Sequence, residues 1–118
     1  MQVLFKSRDP QAAQMRGGVE RRVQVVLRRI SWRVPRAVVQ FSDVNGPRGG
    51  VDKCCRIELR TDGAGSVVVS ALAKDWRTAL DDALARASRF VRRLWQRIGA
   101  ERRLRRRPID SQRMNQAQ

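Results

Sequence analysis

The chain has 118 residues, enough for one modest hydrophobic core and too few for two, so a single domain is expected. Its 26 Lys and Arg stand against 11 Asp and Glu, for a net charge of +15 and a pI near 11.8. This surplus calls for a polyanion. Nucleic acid leads, since each neutralised phosphate releases counterions and a guanidinium grips phosphate oxygens in pairs, with an anionic membrane surface second.

Gln2 to Lys6 alternate, with Val3 and Phe5 on one face, as a short half-buried strand does. Arg8, Asp9 and Arg16 interrupt any apolar leader, and no apolar run approaches the roughly 20 residues of a spanning helix. A cytoplasmic protein with no membrane partner is therefore expected. Asp9-Pro10 is a helix start signal, and Met15, Val19, Val23, Val26 and Ile30 then recur at helical spacing. Gly17-Gly18 is costly inside a helix, so its first turns fray or the helix begins late. Pro35 closes this region.

Strands follow at 37–41 and 55–60, the latter placing Cys55, Ile57 and Leu59 on one face and Arg56, Glu58 and Arg60 on the other. Asp62-Gly63 supplies turn chemistry for a hairpin into a fourth strand, 66–72. Asp75 can cap a long second helix striped by Trp76, Leu80, Leu84, Ala87, Val91, Leu94 and Ile98. The order βαβββα predicts an α+β two-layer sandwich, a four-stranded sheet with two helices on one face. The domain is expected to span 1–101, followed by an arginine-rich and then polar tail, 102–118, expected to be disordered.

The loop Gly46-Pro47-Arg48-Gly49-Gly50 lacks the Gly-Lys-Ser/Thr ending of a phosphate-binding loop and leads into a strand, not a helix. As a calcium loop, Asp43-Val44-Asn45-Gly46 places its glycine too early and Pro47 where a ligand is needed. A hairpin connection is the leading reading, with a backbone or Arg48 contact to a partner as the other. Cys54 and Cys55 are adjacent, so they read as reduced thiols, Cys55 as a small buried hydrophobe. Two cysteines without any histidine do not make a structural zinc site. Lacking histidine, tyrosine and any evident base beside a nucleophile, the chain is expected not to be an enzyme, and no cofactor or small-molecule substrate is expected.

From Arg86 to Arg107 there are ten arginines and one acid, Glu101, so the acid–base pairing of an ordinary soluble helix is missing. The candidate RNA-binding residues are Arg86, Arg89, Arg92, Arg93 and Arg97 on the second helix and Arg22, Arg28 and Arg29 on the first. Trp32, Trp76 and Trp95 either stack on bases or pack, and helical spacing favours packing. No strand is rich in aromatics as in single-strand readers, so recognition of RNA by shape and backbone is expected.

The run Ser42-Asp43-Val44-Asn45-Gly46-Pro47-Arg48-Gly49-Gly50-Val51-Asp52-Lys53, followed by a cysteine-containing strand, resembles the ribosome hibernation-promoting factor family, also called the ribosome-associated inhibitor or sigma-54 modulation family. The resemblance extends over about residues 2–100 and includes the order of elements. It implies a fold like double-stranded RNA-binding domains, lodged on rRNA of the small ribosomal subunit in the mRNA–tRNA channel, where it blocks translation and protects idle ribosomes. It also implies rRNA contact by the second helix, where Arg86, Arg89 and Arg93 fall at matching positions. Long members of the family append a domain that pairs ribosomes. This chain ends at Gln118 without room for one, so a monomer that does not pair ribosomes by its own dimerisation is expected. The rival readings are a general RNA- or DNA-binding protein acting away from the ribosome, and a module that binds an acidic protein.

Overall fold

The computed structural model describes residues 1–44, 52–63 and 65–114, with side chains as far as Ala100. The fold is the expected α+β two-layer sandwich: β1 (Gln2–Ser7), α1 (Pro10–Ala13), α2 (Arg16–Val26), a 3₁₀ turn (Ser31–Arg33), β2 (Arg36–Asp43), β3 (Lys53–Thr61), β4 (Gly65–Ala73) and α3 (Trp76–Met114). The strands lie in the order β1-β2-β3-β4, with β1 parallel to β2 and the other pairs antiparallel. A parallel neighbour requires a crossover, which α1 and α2 supply.

Register makes the sheet two-sided. The rows Val3-Ala37-Leu59-Val67, Phe5-Val39-Ile57-Val69 and Ser7-Phe41-Cys55-Ala71 point towards the helices. Of these, Phe5, Ala37, Val39, Phe41, Cys55, Ile57, Leu59, Val67 and Ala71 are buried in one core with Val19 and Val23 of α2 and Trp76, Leu80, Leu84, Ala87 and Val91 of α3. The face of β3 assigned to Arg56, Glu58 and Arg60 looks away from the helices, as alternation predicts. Burying a leucine or isoleucine here contributes roughly 1.5–3 kcal/mol. At one end of the core Trp76 stacks on Phe41, centroids 5.0 Å apart and planes 9° from parallel, and Phe41 meets Phe5 edge-on at 5.1 Å.

The first helical region is not one helix. Asp9 caps it as expected, its Oδ1 accepting from the N–H groups of Gln11 and Ala12 at 2.8 and 3.1 Å. After one turn the chain breaks at Gln14-Met15, and α2 restarts with Met15 as a cap that offers no side-chain hydrogen bond. The restart places Gly17-Gly18 in the first turn of α2, where amide hydrogens have no intrahelical acceptor in any helix. Where one helix with a frayed or late start was expected, the region is split into a single turn, α1, and a restart, α2. Met15, Val19 and Val23 keep the predicted face, while Ile30 is buried from the turn beyond.

At the hairpin, Gly63 and Gly65 have φ of 84° and 75°, a region that glycine adopts without steric penalty. Asp62 N–H donates to the Arg33 carbonyl at 2.8 Å, tying this hairpin to the turn after α2. Asp75 caps α3: its Oδ1 accepts from the Thr78 amide at 2.7 Å, and its Oδ2 accepts from the Thr78 hydroxyl at 3.0 Å. The α3 backbone is helical to Met114, past the boundary drawn at 101 from the sequence. The loop 45–51, with Arg48, and the side chains of 102–107 lie outside the described residues.

Candidate nucleic-acid interface

All eight arginines singled out from the sequence are exposed, but they do not form one surface. Arg86, Arg89, Arg93 and Arg97 follow one another at spacings of three and four, which aligns them along one flank of α3. At 1.5 Å per residue this row is roughly 16 Å long. Arg86 marks where it runs, since its Nη1 donates to the Ser70 carbonyl of edge strand β4 at 2.8 Å. Phe90, 46% exposed, interrupts the row and with Arg93, Gln96, Arg97 and Ala100 lines a shallow groove of about 540 Å³.

Arg92 belongs to the other flank. It donates from Nη2 to the Ser88 hydroxyl at 3.1 Å, and Trp95 stands three residues further along the helix. Trp95 meets the turn after α2: its ring lies 6.3 Å from that of Trp32, and the Arg33 guanidinium sits 4.6 Å from the Trp95 centroid and 5.4 Å from that of Trp32. Arg28 and Arg29 are in the same turn, exposed. Arg22 stands apart from both groups in an ion pair with Asp81 of α3, at 3.0 Å. It also rims a groove of about 580 Å³ between α2 and α3, with Arg21, Arg77 and Asp81 above Met15, Val19 and Leu80.

Among the described residues, none of Arg86, Arg89, Arg92, Arg93 and Arg97 has a carboxylate partner; the ion pairs there are Arg22–Asp81 and those of Lys53 with Asp43 and Asp52. Among the described residues, five guanidinium groups on one helix are thus left without a carboxylate partner. Sequence reasoning missed Arg33 and the exposure of Trp32. The signal was present in Arg28-Arg29-Ile30-Ser31-Trp32-Arg33, a run without acids around an aromatic ring.

The motif that carries the family resemblance has a structural job at its ends. Lys53 Nζ pairs with Asp43 Oδ2 at 2.7 Å and lies 3.6 Å from Asp52 Oδ2, while the Val44 N–H donates to the Asp52 carbonyl at 2.8 Å. These contacts clip together the two ends of the loop 45–51. The hydrogen bond to Asp43 holds the Lys53 pKa above its ordinary value, and Lys53 also lies 5.2 Å over the Trp76 ring.

Burial, with a smaller contribution from the neighbouring Cys54, pushes the Cys55 thiol up to about 12, so it is not a thiolate nucleophile at neutral pH. Among the described residues no group of three or more His, Cys, Asp or Glu is placed to hold a metal, and no helix is long and apolar enough to cross a membrane. No protein-family model matches the chain, and no curated protein matches it.

Proposed function

We propose that the chain binds RNA through the phosphates that face the arginine row of α3, and that its target is rRNA of the small ribosomal subunit, where it acts as a translation inhibitor of the hibernation type. The observation that carries RNA binding is the row itself: Arg89, Arg93 and Arg97 have no acid among the described residues, and Arg86 begins the row at the sheet edge. Like charges along one helix face oppose each other, and a polyanion relieves them. The ribosomal target and the inhibition rest on the Ser42–Lys53 motif and on the βαβββα order. Occupancy of the mRNA–tRNA channel would exclude its normal occupants, which requires no catalysis, cofactor or membrane.

The test is titration of purified small ribosomal subunits at several salt concentrations with wild type and with Arg89→Ala/Arg93→Ala/Arg97→Ala. Arg86 is left intact because it also braces β4. Affinity should fall, and the slope of log K against log salt should become shallower by about 2 to 3, since each lost phosphate contact removes 0.7 to 0.9. Unchanged affinity and slope would defeat the assignment to α3. Equal affinity for an unrelated duplex RNA would favour a general nucleic-acid-binding protein over a ribosomal factor, as would absence from the ribosome fractions of a cell lysate on a sucrose gradient.

A further inference from the structure

We infer that Trp32 is a stacking platform for an unpaired nucleobase, with the turn that carries it forming a second contact separate from the α3 row; the inference rests on the RNA-binding reading. Trp32 is 76% exposed, while Trp76 is buried and Trp95 half-buried. An indole left in water forgoes the stabilisation that packing would give it, so folding does not account for its position.

Its surroundings hold it ready. The Arg33 guanidinium lies over one face of the Trp32 ring at 5.4 Å and over Trp95 at 4.6 Å, a double cation–π contact that fixes the indole from one side. The two indoles are 6.3 Å apart and tilted by 44°, neither parallel nor far enough apart to admit a base between them. The open face of Trp32 is therefore the one that can receive a planar ring. The ligand's chemistry follows from the neighbours: Arg28 and Arg29 precede Trp32 in the turn, Arg92 lies one turn before Trp95 on α3, and residues 28–36 contain no acid. A flat π-system joined to a phosphate matches that combination, and a nucleotide of a single strand presents both. A paired base within a duplex shows no face to stack on.

The experiment compares wild type, Trp32→Leu and Trp32→Phe for binding to a fluorescently labelled single-stranded oligouridylate and to a blunt RNA duplex of equal charge, at one salt concentration. Trp32→Leu keeps an apolar side chain but has no ring, and should weaken binding of the single strand by about 5- to 150-fold, the range that stacking of one base supplies. Duplex binding should change by less than about twofold, and Trp32→Phe should recover most of the single-strand affinity. Unchanged single-strand affinity in Trp32→Leu overturns the inference, as does an equal loss on both RNAs. If wild type binds the duplex but not the single strand, the inference falls and the RNA-binding reading stands. If it binds neither, the inference falls, and the titration of small ribosomal subunits decides the RNA-binding reading separately.

Discussion

Arg22 of α2 donates from Nε to Oδ1 of Asp81 on α3 at 3.0 Å, joining two helices whose residues are 59 apart in sequence. Their side chains are 47% and 38% exposed, so the pair is solvent-screened and worth less than about 1 kcal/mol to the fold. Its larger effect is on charge: it occupies a guanidinium that composition alone would assign to RNA. Asp81→Asn should leave the melting temperature nearly unchanged and release Arg22. We expect tighter RNA binding, with a salt slope steeper by up to about 0.9, in a fluorescence titration. An unchanged slope would remove Arg22 from the interface.

The glycine pair at the start of α2 offers a stability test. A Cβ on Gly17 would come no closer than 3.9 Å to another group, Arg21 Nη1, and a Cβ on Gly18 would meet nothing within 4 Å. Neither glycine has a positive φ. Alanine then restricts the unfolded chain without strain in the folded one, and each replacement should stabilise by about 0.4–1 kcal/mol. Thermal melts of Gly17→Ala/Gly18→Ala should show a Tm higher by roughly 3–8 °C. A lower Tm would mean that α2 needs glycine there for a reason its geometry does not reveal.

Much of this architecture was legible because alternation and helical spacing are local. Val3 and Phe5, or Cys55, Ile57 and Leu59, declare a face within a few residues, and Asp9 and Asp75 announce their helices by cap chemistry alone. What was not legible depends on tertiary packing. The break at Gln14-Met15 had only the glycine penalty to mark it, which points to fraying or a late start and does not announce a split. Asp81 as the partner of Arg22 could not be read from i, i+4 spacing. Trp32 shares an aromatic identity with Trp76, yet one is exposed and the other stacked on Phe41, because spacing says which residues share a face and not whether anything covers it.

Adjacent cysteines on β3 should differ sharply in reactivity. Cys54 lies on the sheet face away from the helices and is half-buried, whereas Cys55 is fully buried with its thiol at about 12. At pH 8 a thiol-reactive reagent should label one cysteine of the native protein, Cys54, with Cys55 following only after denaturant is added. Peptide mapping that finds Cys55 labelled first would contradict the inward register of β3.

The cap of α3 should make stability depend on pH in a defined direction. The Thr78 amide, the Thr78 hydroxyl and, less strongly, Arg77 hold the Asp75 pKa below its ordinary value of 3.8. A carboxyl group whose pKa is depressed in the folded state stabilises fully above its unfolded pKa, and that contribution is lost as pH falls through the folded pKa. Asp75→Ala should therefore melt below wild type at pH 7, with the gap narrowing once pH drops under about 3.8 and closing further as the folded protein itself takes up the proton. Asp75→Asn keeps a good capping oxygen without the charge, so it should melt above Asp75→Ala at neutral pH and show less of this narrowing. Melts of the three proteins from pH 7 to pH 2.5 separate the two contributions: a wild-type advantage over Asp75→Ala that stays constant across that range would show that the carboxylate charge has no part in holding the start of α3.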